Sequence, residues 1–84
     1  MKPILITGAS SGIGLKTLEK AISKSYFPIA AVREPDKLKN ILESKKIDQS
    51  RYKILYCDMK SEESINSLIY NLRSQKIILE MAVL

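Results

Sequence analysis

Short apolar runs and amphipathic stretches alternate along the chain. Residues 4–6 form an apolar run of three, which predicts a short buried strand. In the next stretch, apolar and small residues recur at helical spacing while the lysines fall elsewhere, which predicts an amphipathic helix with one buried face. The members of that face are Gly14, Leu18, Ala21, Ile22 and Ser25.

The same alternation continues to the end of the chain. Apolar runs predict strands at residues 27–32 and 53–57, and a fourth strand that begins at residues 77–79. Pro35 suits the first turn of a second helix, and Ser61 suits the N-cap of a third. The apolar stripes of these helices are Leu38, Ile41 and Leu42, and then Ile65, Leu68, Ile69 and Leu72.

The order of elements is therefore β-α-β-α-β-α-β within a single domain of residues 1–84. Strict alternation of this kind indicates an α/β fold with a parallel sheet and helices on its faces. With 84 residues, the chain has room for one small domain of modest stability.

All three glycines of the chain, Gly8, Gly12 and Gly14, lie between the first predicted strand and the first predicted helix. Gly8 permits the sharp turn, Gly12 lets a pyrophosphate approach the backbone, and Gly14 allows the helix to pack closely on the strand. The free N–H groups and dipole of the helix then face the anion, and the hydroxyls of Ser10 and Ser11 add donors. The pattern predicts a phosphate-binding turn.

The octet Thr-Gly-Ala-Ser-Ser-Gly-Ile-Gly at residues 7–14 resembles the glycine signature of the short-chain dehydrogenases/reductases. This resemblance implies an incomplete, doubly wound Rossmann fold with strand order 3-2-1-4 that binds NAD or NADP. The resemblance also implies that Ile13 binds the cofactor together with the glycines and serines of this loop.

The residue after the second strand bears on the choice of cofactor. An NAD site usually carries an acidic residue there, whereas this chain has Arg33, which can pair with a 2′-phosphate. In the family that the chain resembles, a basic residue at this place implies NADP. Glu34 follows and would oppose that preference by repulsion, but we favour NADP.

Two further residues follow the third strand. The resemblance implies that Asp58 and its neighbour Met59 line the adenine pocket. Asp58 can equally cap the coming turn, because aspartate side chains accept hydrogen bonds from backbone groups two residues on.

The resemblance also implies chemistry that these residues do not supply. The family uses a Ser and a Tyr–Lys pair four residues apart on a helix, and we assign no catalytic residue here. Tyr56 and Lys60 have that spacing, but they fall on a predicted strand and its exit turn, where residues four apart do not meet.

The end of the chain departs from the family's pattern, because residues 80–84 stand where Asn-Asn-Ala-Gly is expected. We hypothesise a truncated or frame-shifted gene product, whose fourth strand is an open sheet edge that promotes self-association.

Charge, hydropathy and cysteine content limit the partners and locations that we expect for the chain. The net charge is +5, but the 14 basic residues are dispersed, so we expect no nucleic-acid partner. No run is long enough for a membrane span, and the single cysteine, Cys57, predicts a small buried hydrophobe rather than a disulfide or metal site. A cytoplasmic location fits these features.

Three functional hypotheses follow. The first is the NADP-binding part of an oxidoreductase that acts on a carbonyl or an alcohol. The second is a dinucleotide-binding module without chemistry, and the third is an inert fragment. The sequence does not name a substrate, because fold alone does not give function.

Overall fold

The computed structural model describes residues 2–9, 12–75 and 77, together with the backbone of residues 81–83. The strands of the protein lie at the apolar runs of the sequence, and its helices lie at the amphipathic stretches. In chain order the elements are β1 (Lys2–Thr7), α1 (Gly12–Ser23), β2 (Tyr26–Val32), α2 (Pro35–Ser44), a 3-10 turn (Gln49–Arg51), β3 (Lys53–Tyr56), α3 (Glu62–Ser74) and β4 (Met81–Val83).

The strands form one parallel sheet with the order β3-β2-β1-β4. Leu5 in β1 lies opposite Ile29 in β2 on one side and Ala82 in β4 on the other. Val32 in β2 lies opposite Tyr56 in β3. The predicted α/β class with a parallel sheet is confirmed, and all carboxyl ends of the strands meet at one edge.

Alternate residues of the strands enter two separate apolar clusters, one on each face of the sheet. The cluster beneath α1 and α2 contains Ile4, Ile6, Leu18, Leu38 and Leu42, among others. The cluster beneath α3 contains Leu5, Ile29, Cys57, Leu68 and Leu72, with Ala31. A sheet covered on both faces explains why its strands are continuous apolar runs rather than alternating ones.

Cys57 is 1% exposed and packs in the α3 cluster as a free thiol. The prediction of a small buried hydrophobe is therefore confirmed. No helix in the described part of the chain is both long and apolar enough to cross a membrane.

Two of the sequence predictions need correction at the helix faces. Ile69 was expected in the buried stripe of α3, but it is 43% exposed because Leu68 and Leu72 already cover the sheet at that face. Ser25 was expected on the apolar face of α1, but the helix ends at Ser23 and Ser25 is exposed with a positive φ of 66°.

The fourth strand is also displaced from its predicted start. Ile77 donates its N–H to the carbonyl of Leu72 at 3.0 Å, so it closes the C-terminal end of α3 instead of opening a strand. Residues 78 and 79 lie outside the described residues. The observed strand is Met81–Val83, where residues 4–6 of β1 offer partners.

The C-terminal end of α2 is closed by a similar motif. Ile47 donates to the carbonyl of Leu42 at 3.1 Å, and Lys46 donates to that of Glu43 at 2.9 Å. This is the Schellman arrangement, which requires a left-handed residue, and Lys46 has a φ of 58°. The motif directs the chain towards the turn that precedes β3.

Three polar contacts join the elements at the sheet edge opposite the carboxyl ends. Lys45 and Glu19 form an ion pair at 2.9 Å between α2 and α1. The Arg51 guanidinium donates to the carbonyl of Ile22 at 2.9 Å, near the end of α1. The Lys53 ammonium donates to the side-chain oxygen of Gln75 beyond α3.

Tyr52 is the weak point of this packing. Its ring is 7% exposed in the cluster beneath α1 and α2, and its hydroxyl has no hydrogen-bond partner among the described residues. Burial raises the pKa of Tyr52 above its ordinary value of 10.0, and the negative charges of Glu43 and Asp48 add to the shift.

We predict that Tyr52→Phe leaves the free energy of unfolding at pH 7 unchanged or raises it by up to about 1 kcal/mol, because it removes an unsatisfied buried hydroxyl. The wild type should lose stability as the pH rises above about 10, because the folded state retains a proton that the unfolded state releases. Tyr52→Phe should lose less stability than the wild type over the same rise in pH.

Urea denaturation at neutral and alkaline pH measures both effects. Tyr70→Phe is the matched control, since Tyr70 is 74% exposed and its variant should keep the alkaline loss of the wild type. An equal alkaline loss in all three proteins would contradict the account of Tyr52.

Candidate functional site: a glycine turn and cavity at the carboxyl edge of the sheet

The turn between β1 and α1 depends on two glycines with left-handed backbone angles. Gly8 has a φ of 63° and Gly12 a φ of 58°, which L-residues with a side chain rarely adopt. A Cβ added at either position would meet no atom within 4 Å, so open space lies beside both residues. These glycines are required by backbone conformation and leave the turn open to a ligand.

Gly14 is required for a different reason, because there is no space for a side chain beside it. A Cβ built there would overlap the carbonyl oxygen of Gly8 and approach Ala9 Cα to 3.0 Å. The first turn of α1 therefore lies directly against the end of β1, at a separation that only glycine allows. This contact brings the start of the helix to the carboxyl edge of the sheet.

The start of α1 is electrostatically suited to an anion. Its first turn contains no acidic residue, whereas α2 has Asp36 there and α3 has Glu62 and Glu63. The first N–H groups of a helix have no intrahelical acceptor, and the helix dipole places partial positive charge at that end. In α1 no carboxylate of the helix's own first turn competes with a ligand for this end.

A cavity of about 320 Å³ lies beside the glycine turn. It is formed at the carboxyl edge by the last residues of β2 and by residues that follow β1, β2 and β3. They are Gly8, Ala31, Val32, Arg33, Glu34, Cys57, Asp58, Met59 and Lys60.

Four of the predicted site residues are therefore brought together: Gly8, Arg33, Asp58 and Met59. Gly12, Ile13 and Gly14 belong to the start of α1 and do not line this cavity, although Ile13 is 84% exposed. Ser10 and Ser11 lie outside the described residues.

Arg33 and Glu34 leave β2 side by side, and both are exposed. Glu34 precedes α2 but makes no side-chain capping hydrogen bond. The two side chains thus place a guanidinium and a carboxylate at the same rim of the cavity.

Asp58 occupies the turn after β3 as an acceptor. Its Oδ1 accepts the N–H of Lys60 at 2.9 Å, and its own N–H donates to Ser64 Oγ at 2.9 Å. Ser64 in turn donates its N–H to Ser61 Oγ at 3.1 Å. The alternative that Asp58 caps its turn is therefore present in the structure, within the wall of the cavity.

Met59 contributes apolar surface to the same wall. It is 45% exposed, and its Sδ lies 3.7 Å from Cys57 Sγ, which donates a weak S–H hydrogen bond. With Ala31 and Val32 it contributes the apolar part of the cavity lining.

Tyr56 and Lys60 do not form a pair. Tyr56 ends β3 and lines a second depression with residues of the β3–α3 connection and α3, whereas Lys60 lines the cavity beside the glycine turn. Their sequence spacing therefore does not bring the two side chains into one cavity.

Residues 2–81 match the sequence model of a known family, which is described as short chain dehydrogenase. The chain belongs to the short-chain dehydrogenase family. The resemblance that the glycine signature indicated from the sequence is thereby confirmed.

Characterised members of the short-chain dehydrogenase family show moderate identity to the chain. It is 38% identical over 80 residues to 3-amino-tetrahydro-pyrrolizinone reductase of Xenorhabdus hominickii, covering 89% of this chain and 24% of that protein. It is 32% identical over 80 residues to the chloroplastic protochlorophyllide reductase of Marchantia paleacea, covering 94% of this chain and 18% of that protein. The chain thus spans about a quarter or less of the length of these relatives.

Solved structures of short-chain dehydrogenases superpose closely on the chain. One is 4-hydroxyisoleucine dehydrogenase complexed with NADH, with a TM-score of 0.82 and 26% identity, covering 98% of this chain and 32% of that one. Another is a short-chain dehydrogenase from Sphingobium yanoikuyae in complex with NADPH, with a TM-score of 0.72 and 23% identity, covering 87% and 29%. The nucleotide-binding fold is shared, but these two proteins hold different nucleotides.

Alanine is predicted to destabilise the protein at two of the glycines, but for different reasons and by different amounts. Gly14→Ala should lower the free energy of unfolding by at least about 2 kcal/mol, because the new methyl group overlaps backbone that cannot rotate away. In an ordinary helix interior the same change stabilises by about 0.5–1 kcal/mol, so the sign itself is diagnostic.

Gly12→Ala is the matched control. It meets open space and should cost only the left-handed strain of about 1–2 kcal/mol. Urea denaturation of both variants measures the difference, and a Gly14→Ala protein as stable as the wild type would contradict the close contact.

Proposed function

We propose that the chain binds NADP(H) and forms the cofactor-binding part of an oxidoreductase that acts on a carbonyl or an alcohol. The observation that carries the proposal is the glycine turn, held against the sheet by Gly14 and opening onto a cavity that Arg33 lines. When bound, the nicotinamide cofactor supplies or accepts a hydride.

The described residues suit a dinucleotide. The first N–H groups of α1 have no intrahelical acceptor, and the first turn holds no competing carboxylate, which suits a pyrophosphate. The apolar side of the cavity suits a planar base, and its volume of about 320 Å³ falls within the range of small-molecule pockets. The site therefore fits the cofactor that the family's members carry.

Arg33 supports NADP rather than NAD. A guanidinium pairs with a phosphate through two parallel hydrogen bonds, and Arg33 has no ion-pair partner among the described residues. Glu34 supports the opposite preference, because a carboxylate at this rim repels a 2′-phosphate and accepts hydrogen bonds from a ribose diol. We infer that Arg33 dominates.

Calorimetric titration of the purified chain with NADP and with NAD tests this assignment. We expect the wild type to bind NADP more tightly than NAD. Arg33→Gln should lower the affinity for NADP about tenfold and change the affinity for NAD less than about twofold. Gly12→Val should abolish the binding of both nucleotides, because a side chain would fill the space beside the turn.

Arg73→Gln provides the matched control. Arg73 is exposed in the last turn of α3, away from the cavity lining, and its variant should bind both nucleotides like the wild type. Tighter binding of NAD than NADP by the wild type would contradict the cofactor preference. No binding of either by a folded sample would contradict the function.

A dinucleotide-binding module without chemistry is the second candidate. Among the described residues, no Tyr and Lys lie four apart on one helix, as the family's catalytic pair requires. Oxidation of NADPH by the chain with a panel of carbonyl substrates would contradict this second candidate.

We also propose that copies of the chain associate through β4. Among the described strands, β4 pairs only with β1, so one row of its backbone groups has no strand partner. Sedimentation velocity should show a mass that rises with protein concentration, whereas a monomer at every concentration would contradict this proposal.

A further inference from the structure

The charges that line the cavity are balanced only if Lys60 is counted. The lining contains two cations, Arg33 and Lys60, and two carboxylates, Glu34 and Asp58. Without Lys60, one guanidinium would face two carboxylates and the rim would have a net charge of −1. A phosphate monoester carries a charge of about −1.5 to −2 near neutral pH, so such a rim would repel it.

The topology places Lys60 on the same side of the sheet as Arg33. Arg33 follows Val32 in β2, and Val32 lies opposite Tyr56 in the neighbouring strand β3. The ladder extends one residue further, because the N–H of Cys57 donates to the carbonyl of Val32 at 2.9 Å. The segments that leave β2 and β3 therefore emerge next to each other, and both line one cavity.

The backbone of Lys60 is held in place by the turn. Its N–H donates to Asp58 Oδ1 at 2.9 Å, and the N–H of Asp58 donates to Ser64 Oγ at 2.9 Å. Ser64 belongs to α3, so the turn is anchored to the helix beneath it. The Lys60 side chain thus starts from a fixed point at the cavity wall.

The ammonium of Lys60 is available to a ligand. Lys60 is exposed, and it forms no ion pair with any residue that the structure describes. The engagement of Asp58 with the backbone N–H of Lys60 also occupies part of the carboxylate that would otherwise attract this ammonium. A lysine side chain in this position can follow a phosphate through its flexible four-carbon stem.

We propose that Lys60 is a second cation for the 2′-phosphate of NADP and a specificity-determining residue of this site. It acts with Arg33 in the lining of the same cavity and offsets the repulsion by Glu34. This inference rests on the proposed function, because it assigns a role to Lys60 within that same nucleotide site.

The test is calorimetric titration of Lys60→Gln with NADP, NAD, 2′,5′-ADP and 5′-ADP. We expect NADP and 2′,5′-ADP to bind about fivefold more weakly, and NAD and 5′-ADP to change less than about twofold. The dependence of NADP affinity on salt should also decrease, because one charge contact is lost.

Lys24→Gln is the matched control, since it removes the same charge from an exposed lysine just beyond α1 at the opposite end of the helix from the glycine turn. Its nucleotide affinities should equal those of the wild type. The double variant Arg33→Gln/Lys60→Gln should bind NAD more tightly than NADP, because the carboxylates of Glu34 and Asp58 are then the only charges among the lining residues.

The possible outcomes separate this inference from the proposed function. If the wild type prefers NADP and Arg33→Gln loses that preference while Lys60→Gln retains it, the role of Lys60 is overturned and the proposed function stands. If Lys60→Gln lowers the affinities for NAD and NADP equally, Lys60 has no role in specificity and the inference is overturned. If the folded wild type binds no nucleotide, both proposals are overturned.

Discussion

The close contact between Gly14 and the Gly8 carbonyl is the constraint on which the site depends. It sets how near α1 begins to the end of β1, and any side chain at position 14 would push the helix away. The helix N-terminus then lies at the same sheet edge as the residues that follow β2 and β3. A helix end suited to an anion and the cavity are thereby placed together, as the proposed nucleotide site requires.

Much of the fold could be predicted because burial of a parallel sheet on both faces leaves a strong apolar signal. The runs at β1, β2 and β3 and the stripes with Leu18, Leu38 and Leu68 are examples. Errors occurred where local hydrogen bonding decided the outcome. Ile77 resembles the start of a strand in sequence, but its N–H serves the end of α3, and no apolar pattern encodes that choice.

The candidate site was predictable only as far as strand ends identify it. Arg33 directly follows β2, and Asp58 and Met59 come two and three residues after β3, so adjacency in the sheet brings them together. Lys60 joins them because Asp58 and Ser64 fold the next turn back on itself, and side-chain hydrogen bonds of that kind have no period in the sequence. The orphaned hydroxyl of Tyr52 likewise depends on three-dimensional packing that composition does not reveal.

The chain places all its glycines in the turn before α1 and leaves none for its helix ends. Ser25 and Lys46 adopt left-handed angles at those ends, where glycine is the residue that suffers no steric penalty. Each position therefore stores strain of about 1 kcal/mol, and neither residue lines the candidate cavity. Thermostability could be engineered at these two sites, far from the cofactor edge, without altering ligand selectivity.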